Sequence, residues 1–150
     1  MRILVSHVNF PSQFRRLLPL WISEGNEVVF LTRNIEWHAQ SVPGVVIRTY
    51  TTSRISDIAS LHPYLHRLDT AVLEGQAVYR AACDIRDSGW IPDVVISHVG
   101  FGNGFFLRDC FPSSKRICLA EWFYNAQSSD VDFLPPCTVS EDHRLQLRVW

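Results

Sequence analysis

Two Ser-His pairs carry the first chemical signal in the sequence. Ser6-His7 directly follows the apolar run Ile3-Leu4-Val5, and Ser97-His98 directly follows Val94-Val95-Ile96. A neutral imidazole can donate to a sugar hydroxyl, and an imidazolium can offset phosphate charge. If the two runs lie side by side, both rings are aimed at one place. Taken singly, either histidine also fits a satisfied structural residue. The loop after His98 reads Gly100-Phe101-Gly102-Asn103-Gly104. Glycines there let backbone amides approach an anion at the start of a helix, although a flexible turn accounts for the same pattern. Further on, Glu121-Trp122-Phe123-Tyr124-Asn125 sets an acid beside three aromatics. Rings stack on the apolar faces of sugars and a carboxylate grips their hydroxyls. Glu121 and Tyr124 are therefore candidate substrate contacts, with core aromatics beside a surface acid as the plain alternative.

Other signatures are missing. A dinucleotide fingerprint GxGxxG belongs after the first strand, where the sequence is His7-Val8-Asn9-Phe10-Pro11-Ser12. That loop has no glycine, which argues against a nicotinamide fold. No GxxxxGK[ST] phosphate loop occurs. His62 and His66 stand four apart at a helix start but lack a third ligand, so packing explains them better than metal. Cys83, Cys110, Cys118 and Cys137 form no CxxC pair and no zinc-like spacing. They read as reduced, mostly buried thiols of a reducing compartment, and the expected location is the cytoplasm.

The elements that must hold these residues follow from periodicity. Ile3–Val5, Val28–Leu31, Val45–Ile47, Val94–Ile96 and Ile117–Ala120 are continuous apolar blocks rich in β-branched residues. Blocks of this kind mark strands buried on both faces of a parallel sheet. Ser12 is placed to cap a helix ending near Gly25, kinked by Pro19. The clearest helix runs from about Pro63 to Ser88, with Leu61, Leu65, Leu68, Val72, Gly75, Tyr79 and Ala82 on one face and Tyr64, Ala71, Val78 and Ile85 widening it. A short helix fits Phe105 to Cys110. The order β-α-β-β-α-β-α-β predicts an α/β fold with a doubly wound, mostly parallel Rossmann-like sheet. Ligands of such sheets bind beyond the C-terminal strand ends, where the strand order reverses. In the Rossmann order the first and fourth strands are neighbours there, which brings His7 and His98 together. Near the end of the sequence, Ser140 is placed to cap a helix with Glu141 and Asp142 in its first turn. That helix meets no stop signal, as expected of a longer protein cut after its first domain.

Composition sets the limits. The chain has 150 residues, enough for one domain with a real core and too few for two. Its 47% hydrophobic content excludes a disordered chain. With 14 basic against 15 acidic residues it lacks the basic stripe of a nucleic-acid binder. No signal peptide or membrane span is legible, because Ser6, His7 and Asn9 stop the first apolar run.

The sequence resembles the start of a bacterial family 4 glycosyltransferase. The likeness runs through residues 1–15, Glu24–Arg33, His62-Pro63-Tyr64-Leu65, Glu74-Gly75-Gln76-Ala77-Val78, Pro92–His98 and Glu121–Tyr124. It implies the N-terminal half of a GT-B fold, so that 1–150 is a single Rossmann-like, acceptor-side domain. Enzymes of this kind move sugar from a nucleotide-sugar to an acceptor with retention of configuration, usually without a metal or other cofactor. Their C-terminal half binds the donor through an E-x7-E motif. The six Glu residues here contain no pair eight apart, so that domain is expected to be a missing partner. The resemblance maps the catalytic histidine onto His98 and the loop near the donor phosphates onto Asn9, Phe10, Pro11 and Ser12. Relatives often carry glycine in that loop, and Pro11-Ser12 departs from it. His7, Asn9, Phe10, Ser12, Gly100, Gly102, Glu121 and Tyr124 complete the expected substrate contacts. The expected partners are a nucleotide-sugar donor and a glycan, glycolipid or lipid-linked acceptor, with peripheral contact at the inner membrane face and no nucleic acid. The alternative is a non-catalytic Rossmann-like module that binds a ligand or partner.

Overall fold

The computed structural model describes residues 1–35, 42–120 and 140–149. Five parallel strands form the main sheet: β1 (Arg2–Ser6), β3 (Glu27–Thr32), β5 (Val45–Thr49), β6 (Val94–His98) and β7 (Lys115–Leu119). Their spatial order is β5-β3-β1-β6-β7, the doubly wound Rossmann arrangement. A second sheet, not foreseen, pairs β2 (Asn9–Phe10) with β4 (Asn34–Ile35). Two-residue strands leave no periodicity to read.

The alternating side chains of β1 explain why the sheet needs layers on both sides. Ile3 and Val5 pack into one core with Phe10, Phe14, Leu18 and Phe30. Leu4 enters the other with Ala77, Val78, Ala82, Ile85 and Leu107. Each fully buried side chain of this size contributes about 1.5–3 kcal/mol. The central strands are covered on both faces as the sequence predicts. The edge strands are not: β5 and β7 are largely exposed among the described residues.

Helix α1 (Leu17–Ser23) follows a 3-10 turn over Ser12–Arg16. Ser12 does not cap it. Its backbone takes the left-handed conformation, φ +48°, inside the 3-10 turn. Pro19 falls in the first turn of α1, where free N–H groups are normal, so it causes no break. Gly25 ends the unit with φ +78°. The long helix α2 (His66–Asp87) is preceded by a 3-10 turn over Pro63–Leu65, which His62 caps by accepting from the Tyr64 amide. His66 Nε2 meets the Leu61 carbonyl at 3.1 Å. Both histidines thus organise the helix start. The buried face of α2 begins only at Ala71, and Leu65 and Leu68 are exposed.

Helix α3 (Leu107–Cys110) precedes β7, and α4 (Glu141–Leu147) is capped by Ser140, whose Oγ accepts from the His143 amide. Tyr64 donates to Asp142 and Gln146 donates to the Pro63 carbonyl, which ties α4 to the start of α2. Among the described cysteines all are free thiols: Cys110 is buried, Cys83 half-buried and Cys118 exposed, contrary to mostly buried thiols. Burial, and then the neighbouring Cys83 thiol, push Cys110 up to about 12, so it stays protonated and unreactive. No helix among the described residues is long and apolar enough to cross a membrane.

Candidate functional site

Parallel pairing of β1 with β6 sets Ser6 against Ser97, so the residues that follow meet at the switch point. The ring centroids of His7 and His98 lie 5.3 Å apart, edge to face. Both are nearly sealed, at 2% and 5% exposure. Phe101 stacks on His98 at 4.8 Å and meets the His7 ring edge-on at 5.8 Å. The two dipeptides therefore deliver their imidazoles to one point, as their placement in the sequence predicts.

Hydrogen bonds set the chemistry of each ring. The Gly100 amide donates to His98 Nδ1 at 3.0 Å. In the neutral ring the proton is then on Nε2, which makes that nitrogen a donor. A Cβ at Gly100 would lie 2.9 Å from His98 Cε1, so the contact requires glycine. His7 Nδ1 lies 2.9 Å from the Asn9 carbonyl and 3.0 Å from the Asn9 amide, and Nε2 lies 3.4 Å from Ser12 Oγ. His7 thus folds the first loop around itself. Ser12 occupies a left-handed backbone position that glycine would adopt freely. Ser12→Gly should accordingly leave stability nearly unchanged, whereas Ser12→Val should cost about 1–2 kcal/mol in urea unfolding.

The other expected contacts divide. Asn9 lines a cavity beside Phe101 and Gly100, with its Oδ1 held by Asn34 at 3.0 Å. Phe10 turns away: it is 1% exposed and packs edge-on against Phe30 at 4.9 Å, so its side chain belongs to the core. Gly102 packs closely on α2. It is buried with φ +84°, and a Cβ there would come within 2.0 Å of the Ala71 carbonyl on α2. Gly104 lies close to the Ser97 side chain, whose Oγ would stand 2.5 Å from a Cβ there. The glycine loop is a packing device that seats on α2 and holds Gly100 against His98. Glu121 and Tyr124 lie outside the described residues.

Sequence reasoning missed a buried polar network beside the imidazoles. Glu74, on α2 and 3% exposed, accepts from the Tyr50 hydroxyl at 2.6 Å and from Arg33 at 2.9 Å. Asn103 Nδ2 donates in turn to the Tyr50 hydroxyl at 2.7 Å. The network joins the ends of β3 and β5 to α2 and to the glycine loop. The one available signal was an acid on the apolar face of a helix, flanked by Leu73 and Gly75.

Burial, and then the hydrogen bond to Glu74, raise the Tyr50 phenol far above its usual value near 10. The folded chain therefore keeps a proton that the unfolded chain releases above about pH 10. The network's contribution is complete below that pH and is lost as pH rises. Unfolding free energy measured between about pH 8 and 11 should fall more steeply for the native chain than for Tyr50→Phe.

A family model for the glycosyl transferase family 4 group matches residues 24–150. None of the curated proteins matches the chain. Two solved structures of the C-terminal domain of PF1911 hydrogenase from Pyrococcus furiosus, spanning its residues 83–215 and 78–226, are similar in fold. Each has a TM-score of 0.50, at 13% and 11% identity. Each match covers 79% of this chain, and 90% and 91% of the respective neighbours. At that identity the likeness shows the fold alone.

Proposed function

The chain belongs to the glycosyl transferase family 4 group, and from that premise we propose that it is the acceptor-side, N-terminal domain of a retaining GT-B glycosyltransferase. The observation that carries the reading is the imidazole pair at the switch point of the sheet. The enzyme would move a sugar from a nucleotide-sugar to a glycan, glycolipid or lipid-linked acceptor at the cytoplasmic face of a bacterial membrane. A C-terminal domain of the same protein would supply the donor site.

Transfer proceeds by front-face displacement. The acceptor oxygen bonds to the anomeric carbon on the face from which the diphosphate leaves, and the acceptor proton passes to the departing diphosphate oxygen. His98 donates from Nε2 to a hydroxyl of the transferred sugar and holds the ring as charge builds on it. Its tautomer, fixed by the Gly100 amide, is the one this task needs. His7 supports the first loop, and Asn9 and Ser12 lie where the donor phosphates approach.

The test is transfer by the protein in its complete native form, supplied with a panel of nucleotide-sugars and acceptors. Release of nucleoside diphosphate coupled to a product of retained configuration is expected. An inverted product would remove the front-face mechanism. Absence of transfer across the panel, with tight binding of a ligand unrelated to sugars, would remove the whole reading.

A further inference from the structure

Helices α2 and α3 meet through a pair of thiols that the proposed transfer does not use. Cys83 Sγ and Cys110 Sγ lie 3.8 Å apart, in contact, although 27 positions separate them in the chain. Cys110 ends α3 and is buried in the core cluster that α2 shares with the sheet. Cys83 packs against that cluster from α2 and is half-buried, so it is the sulfur that a solute can reach. A disulfide needs its sulfurs about 2.05 Å apart. The remaining gap of about 2 Å lies within the reach of side-chain rotation at two short side chains.

We propose that Cys83 and Cys110 form a reversible dithiol–disulfide site for small disulfides such as oxidised glutathione, and that its oxidation staples α3 onto α2. The site stands apart from the glycosyl-transfer reading and does not rest on it. In the first step the Cys83 thiolate attacks one sulfur of oxidised glutathione. A Cys83–glutathione bond forms, the glutathione S–S bond breaks, and the departing glutathione takes up the proton that Cys83 gave up. In the second step the Cys110 sulfur bonds to Cys83 Sγ, the mixed disulfide breaks, and the second glutathione leaves with the Cys110 proton. Two protein thiols lose two electrons, and one glutathione disulfide is reduced to two thiols. Cys110 by itself is inert, because burial, and then the Cys83 thiol, hold its proton. That thiol is gone once Cys83 carries glutathione, and contact supplies a local concentration that no free thiol matches. In a reducing compartment the resting form is the dithiol. The glycine loop runs directly into α3, and Phe105 and Phe106 at that junction lie against Gly75 of α2. The staple therefore tightens the seat on which Gly102 rests.

The test incubates the reduced native protein with oxidised glutathione, blocks the remaining thiols and maps the peptides by mass spectrometry. A linked Cys83–Cys110 peptide pair, lighter by two hydrogens, is expected. The urea midpoint should rise by about 1 M on oxidation, because the link closes a long loop, and dithiothreitol should return it. Cys83→Ser, at a half-buried position, should give neither the link nor the rise, which controls for glutathione on Cys118 or Cys137. Cys110→Ala should stop at the glutathione adduct on Cys83. Four results overturn the proposal: an unlinked adduct on Cys83 of the native protein, a link that runs instead to Cys118 or Cys137, a link that dithiothreitol leaves intact, or a midpoint that stays or falls on oxidation.

Discussion

Replacing His98 by alanine should slow glycosyl transfer about 100-fold or more, the usual cost of removing one preorganised donor to a charge-developing transition state. The fall should appear in the maximal rate, with the Michaelis constants for donor and acceptor little changed, because the lost hydrogen bond strengthens only as the sugar ring gains charge. His98 is 5% exposed and held by the Gly100 amide, so its orientation is set before substrate arrives. His7→Ala should lose less. Its Nδ1 is engaged with the Asn9 backbone and its Nε2 lies by Ser12, so its removal loosens a loop. Steady-state rates at saturating donor and acceptor, with thermal unfolding as the control for folding, separate the two. A His98→Ala protein with near-native turnover would make His98 a structural histidine and take the centre out of the proposed mechanism.

That contrast shows how far the sequence could be read. The five apolar runs locate the five strands of the main sheet, and the central three are buried on both faces as unbroken hydrophobicity requires. Once the strand order is known, the Ser6-His7 and Ser97-His98 pairs must meet, and they do. What the sequence hides is local and long-range at once. Phe10 looks like a loop residue beside the site, yet the small β2–β4 pairing turns its ring into the core against Phe30. Ser12 looks like a helix cap, but a left-handed backbone removes it from that role. The network of Arg33, Tyr50, Glu74 and Asn103 joins residues up to 70 positions apart, from Arg33 to Asn103, and no spacing rule could have collected them. The glycines of the 100–104 loop show the same limit. Their number signals close approach, but only the fold reveals that the approach is to α2 and to His98.

Gly102→Ala is where that close approach should show its largest effect on stability. Two costs act together. A φ of +84° penalises any residue with a Cβ by about 1–2 kcal/mol. The new methyl would also stand 2.0 Å from the Ala71 carbonyl oxygen and 2.6 Å from its carbon. Those atoms are backbone of a 22-residue helix and cannot step aside as a flexible side chain would. Overpacking of this kind adds about 1–3 kcal/mol, giving about 2–5 kcal/mol in all. Gly25→Ala is the matched control, since Gly25 also has a positive φ, +78°, but nothing within 4 Å of its missing Cβ. It should lose only the backbone term, so the difference between the two urea midpoints measures the contact with α2. If the loop lifts to relieve the clash, Asn103 is drawn off the Tyr50 hydroxyl and the Gly100 amide off His98 Nδ1. Gly102→Ala should then also lose transfer activity under conditions where it remains folded, through the displaced contact to His98. Equal destabilisation by the two substitutions would mean that the loop is not seated on α2, and that His98 is held by something other than Gly100.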